Sequence, residues 1–210
     1  NITIVPFGNA REQQSGDKYT FTCQHGANEC LGNAIENCLQ AHVEKKTAQS
    51  VMVCLETKID IDNNWGNALT ACGTEIGVDL SSLMTCANSD EGMMLTHQAA
   101  QNTDASHQYV PWVIVNGVHD TDAENSIMDS LLKYACSQYT GSDVPACQST
   151  KLTAQDDQLL QVVAFTESKC PYCEAFITGA FSTAINTPDF DKIVNVTIIP
   201  FGNAKETQSG

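Results

Sequence analysis

The chain reads as an α/β protein, and three observations carry that expectation. Short β-branched or apolar runs at residues 1–7, 109–115, 159–165 and 194–199 have strand length and are bounded by Pro, Gly or charged residues. Between residues 28 and 102, apolar residues recur instead at three- and four-residue spacings, as helices require. A C-x-x-C pair, Cys170-Pro171-Tyr172-Cys173, lies where an apolar run gives way to a helical pattern.

The elements follow in order. Residues 1–7 form a strand stopped by Pro6 and Gly8, and 18–23 a second extended segment. Helices are expected over 28–41, 48–57, 65–76, 80–87 and 90–101. Residues 109–115 are a strand ended by Asn116-Gly117, a pair suited to a hairpin turn, and the chain returns as a short strand. Residues 122–138 form an amphipathic helix carrying Ile127, Leu131, Leu132 and Ala135. The stretch 141–157 is polar and irregular. Residues 159–165 form a buried strand, and 171–185 a helix with Pro171 in its first turn.

The two ends repeat each other. Residues 1–16, NITIVPFGNAREQQSG, and 195–210, NVTIIPFGNAKETQSG, differ only at Ile2/Val196, Val5/Ile199, Arg11/Lys205 and Gln13/Thr207. An offset of 194 residues is far longer than a solenoid repeat. It points to a tandem array of whole domains, with 210 residues covering one period and a short overlap.

A formal net charge of −15, with only 10 Lys and Arg, argues against nucleic acid and anionic membranes as partners. No apolar run of 18 residues exists, so no membrane span is expected. Ten cysteines are many for a reducing compartment. Asn1-Ile2-Thr3 and Asn195-Val196-Thr197 are acceptor triplets for N-glycosylation, which makes Asn1 and Asn195 candidates. Together these features point to the secretory pathway: secreted, extracellular or lysosomal.

Cys170 and Cys173 are the candidate catalytic pair. At a helix start, free backbone N–H groups and the macrodipole stabilise a thiolate on the first cysteine. Cys173, one turn along, is placed to resolve a mixed disulfide formed by Cys170. An inert structural disulfide is the plainer alternative. Half a zinc site is another, although no second C-x-x-C or H-x-x-x-H is present, and neither metal nor cofactor is expected. Val110-Pro111 precedes the strand at 112–115; a cis bond there, against the thiols, would complete a thioredoxin-like site, whereas trans is the ordinary state of such a bond.

Cys23-Gln24-His25-Gly26 with Glu29, Cys30, Asn33 and Cys38 spells CQHG-x2-EC-x2-N-x4-C. This resembles the signature of the gamma-interferon-inducible lysosomal thiol reductase (GILT) family. NITIVPFGNA, the run from Cys86 to Ala105 with Met93, Met94 and His97, YVPWVIVNG, the Cys136/Cys147 pair and the C-x-x-C after a strand resemble it too. The resemblance implies a thioredoxin-like sheet with a helical, disulfide-bonded insertion. It implies reduction of protein disulfides in an acidic compartment, with Cys170 and Cys173 in the redox role. His25 lies in the signature, but a structural role is the simpler reading. Cys23, Cys30, Cys38, Cys54, Cys72, Cys86, Cys136 and Cys147 are the structural disulfide candidates, their pairing open.

The order departs from the family, which places C-x-x-C first, then the NVT-type strand, then CQHG, then the Val-Pro strand. The repeat accounts for this. Residues 1–147 read as the later part of one domain, 148–157 as a linker, and 158–210 as the opening of the next, in circularly permuted order. Two functions follow: a thiol–disulfide oxidoreductase acting on disulfide-bonded proteins, or a structural subunit of an extracellular filament of GILT-like domains, with neighbouring copies as head-to-tail partners.

Overall fold

The computed structural model describes residues 2–141, 144–147 and 159–194, with the side chains of 2–4, 60 and 62 set aside. Its main sheet has the order β1-β6-β4-β5, built from β1 (Ile2–Pro6), β4 (Trp112–Val115), β5 (Val118–His119) and β6 (Val162–Thr166). β1 runs parallel to β6, with Ile2 opposite Val162 and Pro6 opposite Thr166. β6 and β4 are antiparallel, as are β4 and β5. The sheet is therefore assembled from both ends of the chain. The expected turn at Asn116-Gly117 is present, both residues at positive φ (49° and 85°), as a two-residue hairpin turn requires.

A separate hairpin, β2 (Arg11–Ser15) with β3 (Lys18–Thr22), follows β1. Sequence patterning finds β3 and misses β2. In β2 only Glu12 is buried, so its REQQS carries no apolar alternation.

The helical insertion comprises α1 (Ala27–His42), α2 (Lys45–Asp62), α3 (Trp65–Ile76), α4 (Leu83–Ala87) and α5 (Asp90–Gln101). α3 and α5 match the expected bounds, and the structure shows each capped at its start. Asn64 accepts from the Asn67 amide at 3.1 Å, and Ser89 from the Glu91 amide at 3.2 Å. α2 is longer than its apolar pattern suggests: Glu44 caps it through the Lys46 and Thr47 amides at 3.1 and 3.2 Å. α4 starts at Leu83, later than expected. α1 is the hub, packing on α2, α4 and α5 and reaching β1 and β3.

α6 (Thr121–Gln138) bends at Ser130, whose backbone is extended (φ −165°, ψ 99°). The helix after the C-x-x-C is α7 (Pro171–Ala175), a π-helical turn Phe176–Phe181, then α8 (Ser182–Ile185). Phe176, Ile177 and Phe181 from the π turn are buried with Ile127, Leu131 and Ala135 of α6 and Val51, Met52 and Leu55 of α2. Such side chains each contribute about 1.5–3 kcal/mol on burial. A second cluster joins Val5, Phe7, Ala10, Cys23, Ala99, Trp112 and Phe165, so the β1 terminus, the hairpin base and α5 share one apolar layer.

Candidate active site

β6 delivers the site. After Thr166 the chain passes through Glu167, Ser168 and Lys169 before the helix begins. The Ser168 amide donates to Asn33 Oδ1 of α1 at 2.9 Å, while Asn33 Nδ2 faces Phe7 O at 3.4 Å. One buried amide thus ties the site loop to the end of β1. Lys169 takes a left-handed conformation (φ 67°), and its ammonium bonds the Asn63 side chain. Cys170 then stands at the helix N-cap with Pro171 next, where its missing N–H leaves no bond unmade.

Cys170 and Cys173 are both unbonded thiols and both buried. Tyr172 between them is 73 % exposed, so the motif faces solvent through its aromatic residue. The Cys170 thiol is brought down to about 6. The Cys173 thiol, donating to its sulfur, is the largest cause; the Cys173 and Tyr172 amides and nearby His25 add to it, against the opposing effect of burial. The Cys173 thiol is pushed well above its ordinary value, first by burial and then by Cys170. One sulfur is poised as a thiolate and the other holds its proton.

Across from the thiols, the Val110–Pro111 bond is cis, and Val110 packs with Cys170 and Cys173 in a small apolar cluster. Val110 O lies 4.0 Å from Cys170 Sγ.

A carboxyl–imidazole cluster adjoins the pair. Glu29 of α1, fully buried, accepts from the His25 amide at 2.5 Å, from His25 Nδ1 at 2.7 Å and from the Gln24 amide at 3.2 Å. Burial raises its pKa despite those bonds. His25 Nδ1 is also 3.5 Å from Glu167 Oε1. Glu167 is 2 % exposed, and its other oxygen accepts from the Asn9 amide. Burial first, and the charge of Glu29 next, push Glu167 up to about 8. Gly8 makes this fit: a Cβ there would lie 1.6 Å from Glu167 Oε2, and its φ is +57°. The ligand atoms of His25, Glu29 and Glu167 lie within 4.8 Å of one another, the spacing of a cation site. Glu29 is already hydrogen-bonded to three groups of the chain. In a second such group, His42–Cys86–Glu91, Cys86 is committed to a disulfide.

A family model described as gamma interferon inducible lysosomal thiol reductase matches residues 1–76 and 161–210, the two segments that form this site apart from Val110 and Pro111. The chain belongs to the GILT family. It is 40 % identical over 155 residues to the gamma-interferon-inducible lysosomal thiol reductase of Carassius auratus, covering 70 % of this chain and 59 % of that protein. Identity to the Mus musculus protein of the same name is 39 % over 150 residues, 69 % of this chain and 57 % of the relative. A gamma-interferon-responsive lysosomal thiol protein of Arabidopsis thaliana is 32 % identical over 145 residues, covering 67 % of this chain and 57 % of its own. The chain thus spans under three fifths of the length of these relatives.

In this GILT-family chain the other eight cysteines form four bridges: Cys23–Cys30, Cys38–Cys86, Cys54–Cys72 and Cys136–Cys147. Of the three clustered near the signature, Cys38 pairs away, joining α1 to α4, and Cys54–Cys72 joins α2 to α3. Asn1 and Asn195, with the whole second copy, lie outside the described residues. Sequence reasoning gave Glu29 and Asn33 no role and passed over Glu167; a lone charged residue closing an apolar strand three positions before Cys170 was the available signal for Glu167. His25, read as structural, sits beside the thiols. No helix among the described residues is long and apolar enough to cross a membrane.

Proposed function

We propose that the chain is a thiol–disulfide oxidoreductase that reduces protein disulfides through Cys170 and Cys173. The observation that carries this reading is the pair of unbonded, buried thiols at a helix start, packed against Val110, with one lowered to about 6 and the other raised. The Cys170 thiolate attacks one sulfur of the substrate disulfide; the S–S bond breaks, and the departing thiolate takes a proton from solvent. Cys173 then loses its proton and attacks Cys170 Sγ in the mixed disulfide, releasing the second substrate thiol. Two electrons pass to the substrate, the pair ends as a disulfide, and an external thiol restores it. Below about pH 8 Glu167 holds its proton, so no second carboxylate charge opposes the thiolate. Roughly a tenth of Cys170 is ionised at pH 5, enough for slow turnover in an acidic compartment. The lysosomal names of the relatives support such a location in the secretory pathway.

Taken from β6 onward, the elements run strand, helix, then β1, helical insertion, β4, β5 and α6. That order, with one parallel and two antiparallel pairings, supports a thioredoxin-like sheet in circularly permuted form. The division into 1–147, a linker 148–157 and 158–210 follows from the same reading. The duplicated segment favours a second role, as one unit of a tandem array that assembles head to tail into filaments.

Reduction of a disulfide-bonded protein at pH 6 with dithiothreitol as donor tests the enzyme. Cys170→Ser abolishes turnover and leaves the circular dichroism spectrum intact; unchanged turnover refutes the assignment. Long fibres with Cys170 and Cys173 oxidised and closed to alkylation favour the filament instead.

A further inference from the structure

The strand line beside β6 that holds β1 also carries a second pairing with a distant part of the same chain. Along β1, each residue pairs with the one 160 positions later: Ile2 with Val162, Val5 with Phe165. Extended one step before Asn1, this register reaches Leu160. The repeat offset is 194, so the second-copy residue equivalent to that preceding position is Val194. Val194 is the residue that bridges Leu160, and it does so in the parallel sense. Two separate pairings therefore lie on one strand line, in one direction and one register.

The two copies also agree where the groove is demanding. Phe7 is fully buried, and its amide donates to Thr166 O at 2.8 Å; Phe201 is its equivalent. Gly8 admits no Cβ against Glu167, and Gly202 keeps that freedom. Asn9, whose amide caps Glu167, corresponds to Asn203, and buried Ala10 to Ala204. Buried Val5 becomes Ile199, one methylene larger. Charge and polarity drift only at Arg11/Lys205 and Gln13/Thr207, both exposed in the first copy.

We infer that the groove beside β6 is a strand-acceptor site whose alternative occupant is residues 195–204 of this chain, entering in register from Val194 and displacing residues 1–10. Either copy completes the sheet and closes over Glu167. The displaced copy becomes an unpaired strand able to augment the sheet of another molecule of this chain. The inference rests on the repeat and the strand register, and not on the redox reading.

Full-length Val5→Asp, Ile199→Asp and the double variant test it by thermal unfolding. A buried aspartate in the occupying copy abolishes its pairing, so exchange leaves each single variant cooperatively folded within a few degrees of the parent. The double variant, with no competent copy, falls by roughly 10 °C or more. A Val5→Asp midpoint as low as that of the double variant, with Ile199→Asp silent, overturns the inference. So does a double variant as stable as the parent. Activity enters neither outcome, so failure here leaves the reductase assignment standing.

Discussion

Replacing Cys173 separates the cause of the Cys170 thiolate from its consequences. The largest influence lowering Cys170 is the hydrogen bond donated by the Cys173 thiol. Hydrogen bonds to charged groups contribute about 1.5–3 kcal/mol net, and one pH unit corresponds to about 1.36 kcal/mol. Cys173→Ala therefore moves the Cys170 midpoint from about 6 to roughly 7–8. Cys173→Ser keeps a donor and stays near the parent. In both variants Cys170 is the one unpaired cysteine, the other eight being bridged. Iodoacetamide then reads a single site across pH 4–9. At pH 5.5 the Ala variant should react roughly 10- to 80-fold more slowly than the Ser variant, before the modest gain in nucleophilicity of a more basic thiolate. Coincident pH profiles for the two variants refute the hydrogen-bond account. A parent midpoint above pH 8 refutes the activated thiolate itself.

Three further outcomes follow. Glu167 has its pKa raised from 4.5 to about 8, so its contribution to stability is fully present below pH 4.5 and is lost as pH rises through 8. Between pH 4.5 and 6, where the opposite trend from Cys170 ionisation is common to both proteins, denaturant titration should show the parent losing about 1.6 kcal/mol more than Glu167→Gln; parallel curves contradict the raised pKa. Asn33→Ala orphans the Ser168 amide in a buried setting and should cost about 1–3 kcal/mol by urea unfolding, with a neutral result removing Asn33 from the site's support. Replacing Cys38 and Cys86 together by Ser opens a loop of 48 residues' separation and should destabilise by about 4 kcal/mol, more than the same change at Cys54 and Cys72 with a separation of 18; the reverse ranking contradicts chain-entropy control.

Local signals carried much of the fold. Apolar spacing announces α3 and α5 because a helix with one buried face repeats its apolar residues every three or four positions. The Cys170–Cys173 spacing was readable as well, since strand, N-cap and Pro171 are contiguous in sequence. β2 was invisible because an exposed hairpin strand needs no apolar face. The π turn at Phe176–Phe181 was equally hidden, because its apolar residues fit a continuous helix just as well. The Glu29–His25–Glu167 cluster depends on α1 packing against the end of β6, and no local pattern encodes that approach. The pairing of Cys38 with Cys86 depends on how α4 folds back on α1, so sequence spacing left it open.

The most direct test of the reductase reading is covalent capture. Cys173→Ser, which keeps the Cys170 nucleophile and lacks the resolving thiol, is incubated at pH 6 with a disulfide-bonded protein, quenched in acid and mapped by mass spectrometry. The account predicts a stable mixed disulfide at Cys170 and none in Cys170→Ser. Absence of an adduct, or an adduct on any other cysteine, would contradict it.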